Sequence, residues 1–346
     1  MRWLIFLLLS WTIRAAGPTP YEYPKLRNFP EPASPADNPT TIEGALLGRY
    51  LFYDPVLSHD STVSCSSCHR QENAFADAAA DFSSPRKGAP MKRNTPPLFN
   101  VVYHSDFFWD GRSPSLEDQV SHPVHDSREF NSNWAEITRK LQKSELYPSL
   151  FNAAFPGRAI DSTTVSKAIA QFERTLLSVN APLDQSRRGE GQLSELAVRG
   201  FEIVTDQSMG GCFLCHQIDG FPLGTDLSYR NNGLSEAQIR ADSGRAAITG
   251  NRSEVGAFKV PSLRNVAVTA PYMHDGRFET LEEVLEFYSS GIANTPYSDT
   301  RMSQAHRGGR LFSDGDRRAI IAFLHALTDS TLLSNPEFSD PFADTY

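Results

Sequence analysis

Cysteine is scarce in this chain. Four occur among 346 residues, in two pairs of identical spacing. That is too few for a disulfide-stapled fold, and a chain of this length buries its own core. Basic residues are outnumbered, 33 Lys and Arg against 41 Asp and Glu, for a net charge of −8. A nucleic-acid binder neutralises phosphates with clustered cations, so nucleic acid is excluded as a main partner. Beyond the N-terminus no apolar run approaches the roughly 20 residues that a membrane helix needs. Alternating strand patterns are also rare. With 40% hydrophobic and 21% charged residues, the composition is that of a globular protein. The length suggests about two domains.

The N-terminus reads as an address. Residues 1–17 have the parts of a signal peptide: Arg2, an apolar run from Leu4 to Leu9 with Trp11, and small residues Ala15-Ala16-Gly17. No Cys follows to carry a lipid. Residues 18–42 form an extended leader, with seven prolines between 18 and 40. The expectation is an exported, periplasmic protein with no membrane span after processing.

Apolar residues then recur at helical spacing. Ala45, Leu46, Leu47, Tyr50 and Leu51 mark one helix before the first cysteine pair, and Leu196, Ala197, Phe201 and Val204 mark another before the second. Further helices are expected over 134–143, 163–178, 235–242, 280–289 and 315–328. The pattern is a repeat with divergent copies. The break is placed at Asn180-Ala181-Pro182, where a long helix should stop at proline. The fold class is all-α, with an N-terminal domain over 43–180 and a C-terminal domain over 181–346.

Both cysteine pairs sit in Cys-x-x-Cys-His: Cys65, Cys68 and His69, then Cys212, Cys215 and His216. This is the attachment signature of c-type haem. Two thiols add to the two vinyl groups of one porphyrin, and the following imidazole is the proximal iron ligand. A zinc knuckle does not require His directly after the second Cys, and a thioredoxin-like pair belongs in a βαβ pattern that is missing here. Two covalently bound haem c groups are expected.

Other motifs bring a family into view. Arg93-Asn94-Thr95-Pro96, Phe108-Trp109-Asp110-Gly111-Arg112, Leu263-Arg264-Asn265 and Ala270-Pro271-Tyr272-Met273-His274 resemble the bacterial di-haem cytochrome c peroxidases and their MauG-type relatives. The resemblance runs from about Gly44 to Thr328. It implies two cytochrome c-like helical domains, each with one covalent haem. It also implies roles. Trp109 matches the tryptophan between the two haems, and Gln119, Pro123 and Glu129 match the distal residues where peroxide binds. Asn94, Thr269 and Pro271 match the surroundings of one calcium ion, the latter two through carbonyls, which suits a hard cation. On composition alone Trp109 is a core aromatic, Glu129 a loop residue and Asn94 a turn former. His274 is expected near a haem propionate, and His59, His104, His122, His125, His306 and His325 as surface or structural residues.

Two departures from the plain peroxidase pattern bear on mechanism. Many such peroxidases cap the N-terminal iron with a histidine, yet 70–92 contains none and only Met91 as a soft alternative. An open iron that needs no prior reduction is therefore expected. On the other side, Leu281, Val284, Leu285 and Tyr288 share one helix face, and Tyr288 stands where typical members have an axial Met and the MauG type has Tyr.

The expected activity is periplasmic reduction of hydrogen peroxide with electrons from a small donor, a cytochrome c or cupredoxin. Glu129 would act as the acid–base group. The alternative is a MauG-type enzyme oxidising a protein side chain through a high-valent two-haem state, and a non-catalytic electron-transfer cytochrome comes third. Many relatives are dimers, so a homodimer is among the expectations. The segment 217–258 carries no readable motif.

Overall fold

The computed structural model describes residues 17–26, 29–77, 91–218, 223–302 and 310–343. Residues 1–16 of the expected signal peptide, residues 78–90 of the histidine-free stretch, and His306 lie outside the described residues. Within them the chain is helix-rich, in agreement with the all-α reading. Strand is confined to Tyr229–Arg230 paired antiparallel with Phe258–Lys259 and to isolated bridges. No helix among the described residues is long and apolar enough to cross a membrane.

Two helix pairs organise the core. Ile42–Tyr53 starts at Thr41, whose hydroxyl accepts the Gly44 amide, and lies along Ser162–Thr175, capped by Asp161. Leu47, Leu51, Val165 and Ile169 are buried there with Val120, Ile137 and Leu141. The second pair is Glu195–Thr205, capped by Ser194, on Asp314–His325, capped by Ser313. It buries Ile203, Val204, Ile320 and Phe323.

Each pair crosses at a glycine. A Cβ on Gly48 would stand 2.0 Å from the Ala168 carbonyl, and one on Gly200 would stand 2.0 Å from the Ala319 carbonyl. The backbones touch where no side chain fits, and neither carbonyl can swing away without unwinding its helix. Gly200→Ala is therefore expected to lower unfolding stability by about 3 kcal/mol, the upper end for overpacking. Gly191→Ala, where the nearest atom lies 4.0 Å away, should change stability by less than about 0.5 kcal/mol. Denaturant titration of the two variants compares them.

The connection between the pairs differs from the expected one. The helix stops at Thr175, not at Pro182, because Leu176 leaves helical geometry and its carbonyl accepts the Asn100 amide at 2.8 Å. Ser178 exchanges two hydrogen bonds with the Asn100 side chain. Asp329 then takes the Val179 and Asn180 amides. Pro182 instead opens the next helix, Pro182–Arg188, where its missing N–H costs nothing.

The tail also returns across the molecule. Leu332 and Phe338 pack with Phe52, Phe75 and Phe172, and Gln71 donates to Leu332 O and Asn335 O at 3.0 and 2.8 Å. The C-terminal residues thus cover the underside of the first Cys-x-x-Cys-His loop. At the other end the leader is pinned by buried Asn38, which donates to Glu117 and Lys167 O and accepts from Gln171.

Candidate functional site

Each Cys-x-x-Cys-His segment folds as one turn of 3₁₀ helix, Cys65–Ser67 and Cys212–Leu214. The amides of His69 and His216 then close back on Cys65 O and Cys212 O at 2.9 and 2.8 Å. This wind brings the two thiols and the imidazole of each motif onto one cavity wall. None of the four thiols is in a disulfide.

The imidazoles are oriented from behind. His69 Nδ1 donates to Phe75 O at 2.7 Å, and His216 Nδ1 to Pro261 O at 3.0 Å. With Nδ1 protonated, Nε2 carries the free lone pair in each ring. Burial holds both histidines below their ordinary pKa, in the neutral form that ligates metal. The Phe75 carbonyl is aimed by a tight loop in which Ala74 and Phe75 have φ of 53° and 60°.

On the first side the structure brings His69, Gln119, Pro123 and Glu129 together around a cavity of about 780 Å³. That volume lies within the range of cofactor pockets. Cys65 and Cys68 border an adjoining recess shared with the same four residues. Paired thiols beside an imidazole of fixed tautomer, under largely apolar walls, fit a c-type haem. Glu129 is pushed up to about 7 by burial and by the neighbouring Asp126 charge, against the pull of Arg128 and Arg112. A carboxyl there exchanges protons near neutrality. Arg112, stacked on Phe108 at 3.4 Å, is a cation on this cavity that the sequence reading did not single out. Met91 lines the same cavity.

The second cavity holds Cys212, Cys215, His216 and Tyr288. Leu281–Glu286 is α-helical, and Phe287–Gly291 then widens into a π-turn that carries Tyr288. Such a bulge re-aims a side chain relative to a regular helix. The tyrosine oxygen accepts from Asn232 Nδ2 at 3.2 Å. Burial pushes its pKa up to about 12, so the hydroxyl keeps its proton unless a cation displaces it. His274 lines this cavity, stacked on Phe258 at 3.6 Å.

Trp109 borders both cavities. Its indole N–H donates to Asn94 O at 2.8 Å, and its carbonyl accepts the Lys259 amide at 2.8 Å. Around it Arg93 bridges Asp110 and Asp242, and Lys259 pairs with Asp106. The tryptophan is thus held from both halves of the chain, by Asn94 at its indole N–H, by Lys259 at its backbone, and by packing against the cluster of Leu234, Ile239 and Phe258. Of the three calcium candidates, the Asn94 side chain meets Pro271 O at 2.5 Å and Met273 O at 3.4 Å. Thr269 bonds back to Val266 O. Which end of the Asn94 amide faces these carbonyls is an assignment that a cation would reverse.

Of the histidines read as surface or structural, His59 pairs with Glu136 at the surface, and His122 and His125 are exposed at the rim of the His69 cavity, which His104 also lines. Burial, with Lys259 nearby, holds His104 down at about 3. The silent segment 217–258 supplies Asn232, Arg230 and Phe258 to the Tyr288 cavity. Its one sequence signal is the cluster Arg230-Asn231-Asn232-Gly233, a turn former with no chemical signature.

Comparison with known proteins agrees with this geometry. Residues 42–192 match the family model described as di-haem cytochrome c peroxidase. The methylamine utilization protein MauG of Methylophilus methylotrophus is 34% identical over 95% of this chain and 96% of its own length. The cytochrome c551 peroxidase of Pseudomonas aeruginosa is 32% identical over 82% of this chain and 78% of its own. Among solved structures, a MauG-like protein associated with microbial copper homeostasis superimposes with a TM-score of 0.82. It is 33% identical and covers 93% of this chain and 99% of its own. With two complete haem-attachment loops, a tryptophan between their cavities and relatives of both names, the chain belongs to the di-haem cytochrome c peroxidase and MauG family of oxidoreductases, which implies two haem c groups.

Proposed function

We propose that this chain is a periplasmic peroxidase that reduces hydrogen peroxide to two waters, taking two protons and two electrons, the latter from a small cytochrome c or cupredoxin. The observation that carries the reading is the half-buried Glu129 carboxyl, its pKa raised chiefly by desolvation, on the same cavity as His69. Haem c at the two motifs supplies the iron that binds peroxide and the sites that store its oxidising equivalents.

The chain's own residues do the rest. Glu129 takes the proton from one peroxide oxygen and returns it to the other, which makes that oxygen a leaving water. Gln119 offers a carboxamide to orient the peroxide. Pro123 offers neither a ligand nor a side-chain donor, and so would leave the iron held by His69 accessible to peroxide. Trp109 joins the two cavities. His216 and Tyr288, on the wall of one cavity, would hold the C-terminal iron. Asn94, with the carbonyls of Thr269 and Pro271, is the proposed seat of a calcium ion between the halves, divided near residue 180. Residues 1–17 serve as the export signal, and a homodimer is the proposed assembly.

A second reading, oxidation of a protein side chain in the MauG manner, is favoured by Tyr288 and by the MauG names among the relatives. Steady-state peroxide turnover with reduced cytochrome c separates the two. Rapid turnover supports the peroxidase, whereas slow turnover with a protein oxidised at one residue supports the second.

Two observations on purified protein test the frame. Pyridine haemochrome and intact mass should give two covalent haems per chain. One haem, or bound zinc, would overturn it. The resting ferric spectrum should contain one high-spin iron, beside His69, that reacts without prior reduction, and one six-coordinate low-spin iron. Two low-spin irons would show that Met91 or another residue caps the first.

A further inference from the structure

We propose that Asn232 is a positioning residue that sets how strongly Tyr288 donates to the C-terminal iron; this rests on the proposed ligation of that iron by His216 and Tyr288. Asn232 lies in the segment 217–258, for which the sequence offered no role. The structure holds its backbone from both sides. Tyr229–Arg230 pairs with Phe258–Lys259 just before it. Asn231 then takes the Gly233 and Leu234 amides on its side-chain oxygen, each at 3.0 Å, and donates to Val255 O. Gly233 follows at φ 95°, and its carbonyl accepts the Ala293 amide at 2.9 Å. A residue between two such fixed neighbours points its side chain one way.

That way is into the Tyr288 cavity. A carboxamide nitrogen has two N–H donors, and both are used here. One reaches the Tyr288 oxygen at 3.2 Å, the other the Met273 sulfur at 3.5 Å. Both neighbours are acceptors, the Met273 sulfur and a tyrosine oxygen bound to iron, so the carboxamide turns its nitrogen rather than its oxygen toward them. The tyrosine oxygen is therefore offered a donor.

The consequence is electronic. A phenolate that accepts a hydrogen bond has less electron density to give a metal, and neighbours that bond to a ligand tune the metal through it. Because phenolate favours ferric iron, weakening it moves the couple toward ferrous iron. Asn232 thus restrains a ligand whose own tendency is to hold the iron oxidised. Hydrogen bonds to charged acceptors are about twice as strong as neutral ones, which makes a tenfold effect on the couple the natural scale.

Spectroelectrochemical titration of the C-terminal haem in the purified di-haem protein tests this. Asn232→Leu removes both donors at similar size. It should shift the ferric/ferrous balance about tenfold toward ferric, about 59 mV for a one-electron couple. In a Tyr288→Phe background the same substitution should shift nothing. If Tyr288→Phe changes spectrum and potential but Asn232→Leu moves the balance by less than twofold, the role of Asn232 is overturned and the ligand assignment stands. If Tyr288→Phe changes neither, the ligand assignment falls and this inference with it. An equal shift from Asn232→Leu in both backgrounds would show a merely structural effect and overturn the proposal. Should Asn232→Leu fail to fold, Asn232→Asp is read the same way. It exchanges a donor for a negative charge and should shift the couple further toward ferric.

Discussion

Replacing Glu129 with Gln is expected to slow the reaction with hydrogen peroxide by about a hundred- to ten-thousand-fold, the usual contribution of a positioned acid–base group. Both haems should stay attached, because the thioether bonds are made by the cysteines, and the Phe75 carbonyl that orients His69 is not altered by the substitution. Gln keeps the size of the side chain and removes its ability to accept and return a proton. The same carboxyl gives the pH dependence a sign. Its pKa is raised to about 7 by burial and by Asp126, and the base form must take the first proton from peroxide. The wild-type rate should therefore rise as pH passes upward through about 7. In Glu129→Gln that limb should be missing, whatever the residual rate. Stopped-flow mixing with peroxide across this pH range measures both. A variant within threefold of wild type, or one that keeps the limb, would remove Glu129 from the mechanism.

What could be read from the sequence follows from how local its cause is. Covalent attachment fixes Cys-x-x-Cys-His by contact along the chain, so both haem loops were legible as written. The Trp134–Lys143 helix matched because its cap, Asn133, and its apolar face are local. The end of the Ser162–Thr175 helix was misplaced because a distant residue, Asn100, takes the carbonyl of Leu176. The return of Leu332 and Phe338 to the first core is likewise a tertiary fact, invisible to periodicity. Asn232 was silent for the same reason, since nothing in an asparagine near a turn says that a tyrosine 56 positions later will lie against it. One signal was present and stronger than the reading made of it. Asn100 and Asn265 are both left-handed caps of short 3₁₀ turns, at φ 58° and 56°. The motifs that follow, Asp110-Gly111-Arg112 and Asp275-Gly276-Arg277, continue the same register. Carried onward, that register sets Pro123 of the first copy against Tyr288 of the second.

That correspondence leads to the largest change expected at the second iron. Where one copy has a proline, which cannot ligate, the other has a tyrosine lifted by a π-turn onto the cavity of His216. On the proposed ligation, a single position would divide open from closed coordination. Tyr288→Met exchanges a hard anionic oxygen for a soft neutral sulfur. Thioether ligation favours ferrous iron and phenolate favours ferric. Since axial ligands move haem potentials over about 0.8 V, a rise on the order of several tenths of a volt is expected. The space suits the change: Met is unbranched and adaptable, and the wall beside Tyr288 is lined by Val284, Leu285 and Leu324. The same rise makes an oxidising equivalent harder to keep at this haem. The variant should therefore hold its C-terminal iron reduced in the presence of a donor and behave as an enzyme that works from a half-reduced state. Potentiometry with optical detection of the Met-to-iron band follows both effects. If the band appears without a rise in potential, the coordination account of the redox difference is wrong. If neither changes, Tyr288 is a wall residue and the second ligand must be sought elsewhere on the cavity, first at Met273, whose sulfur shares the Asn232 Nδ2 with the tyrosine hydroxyl.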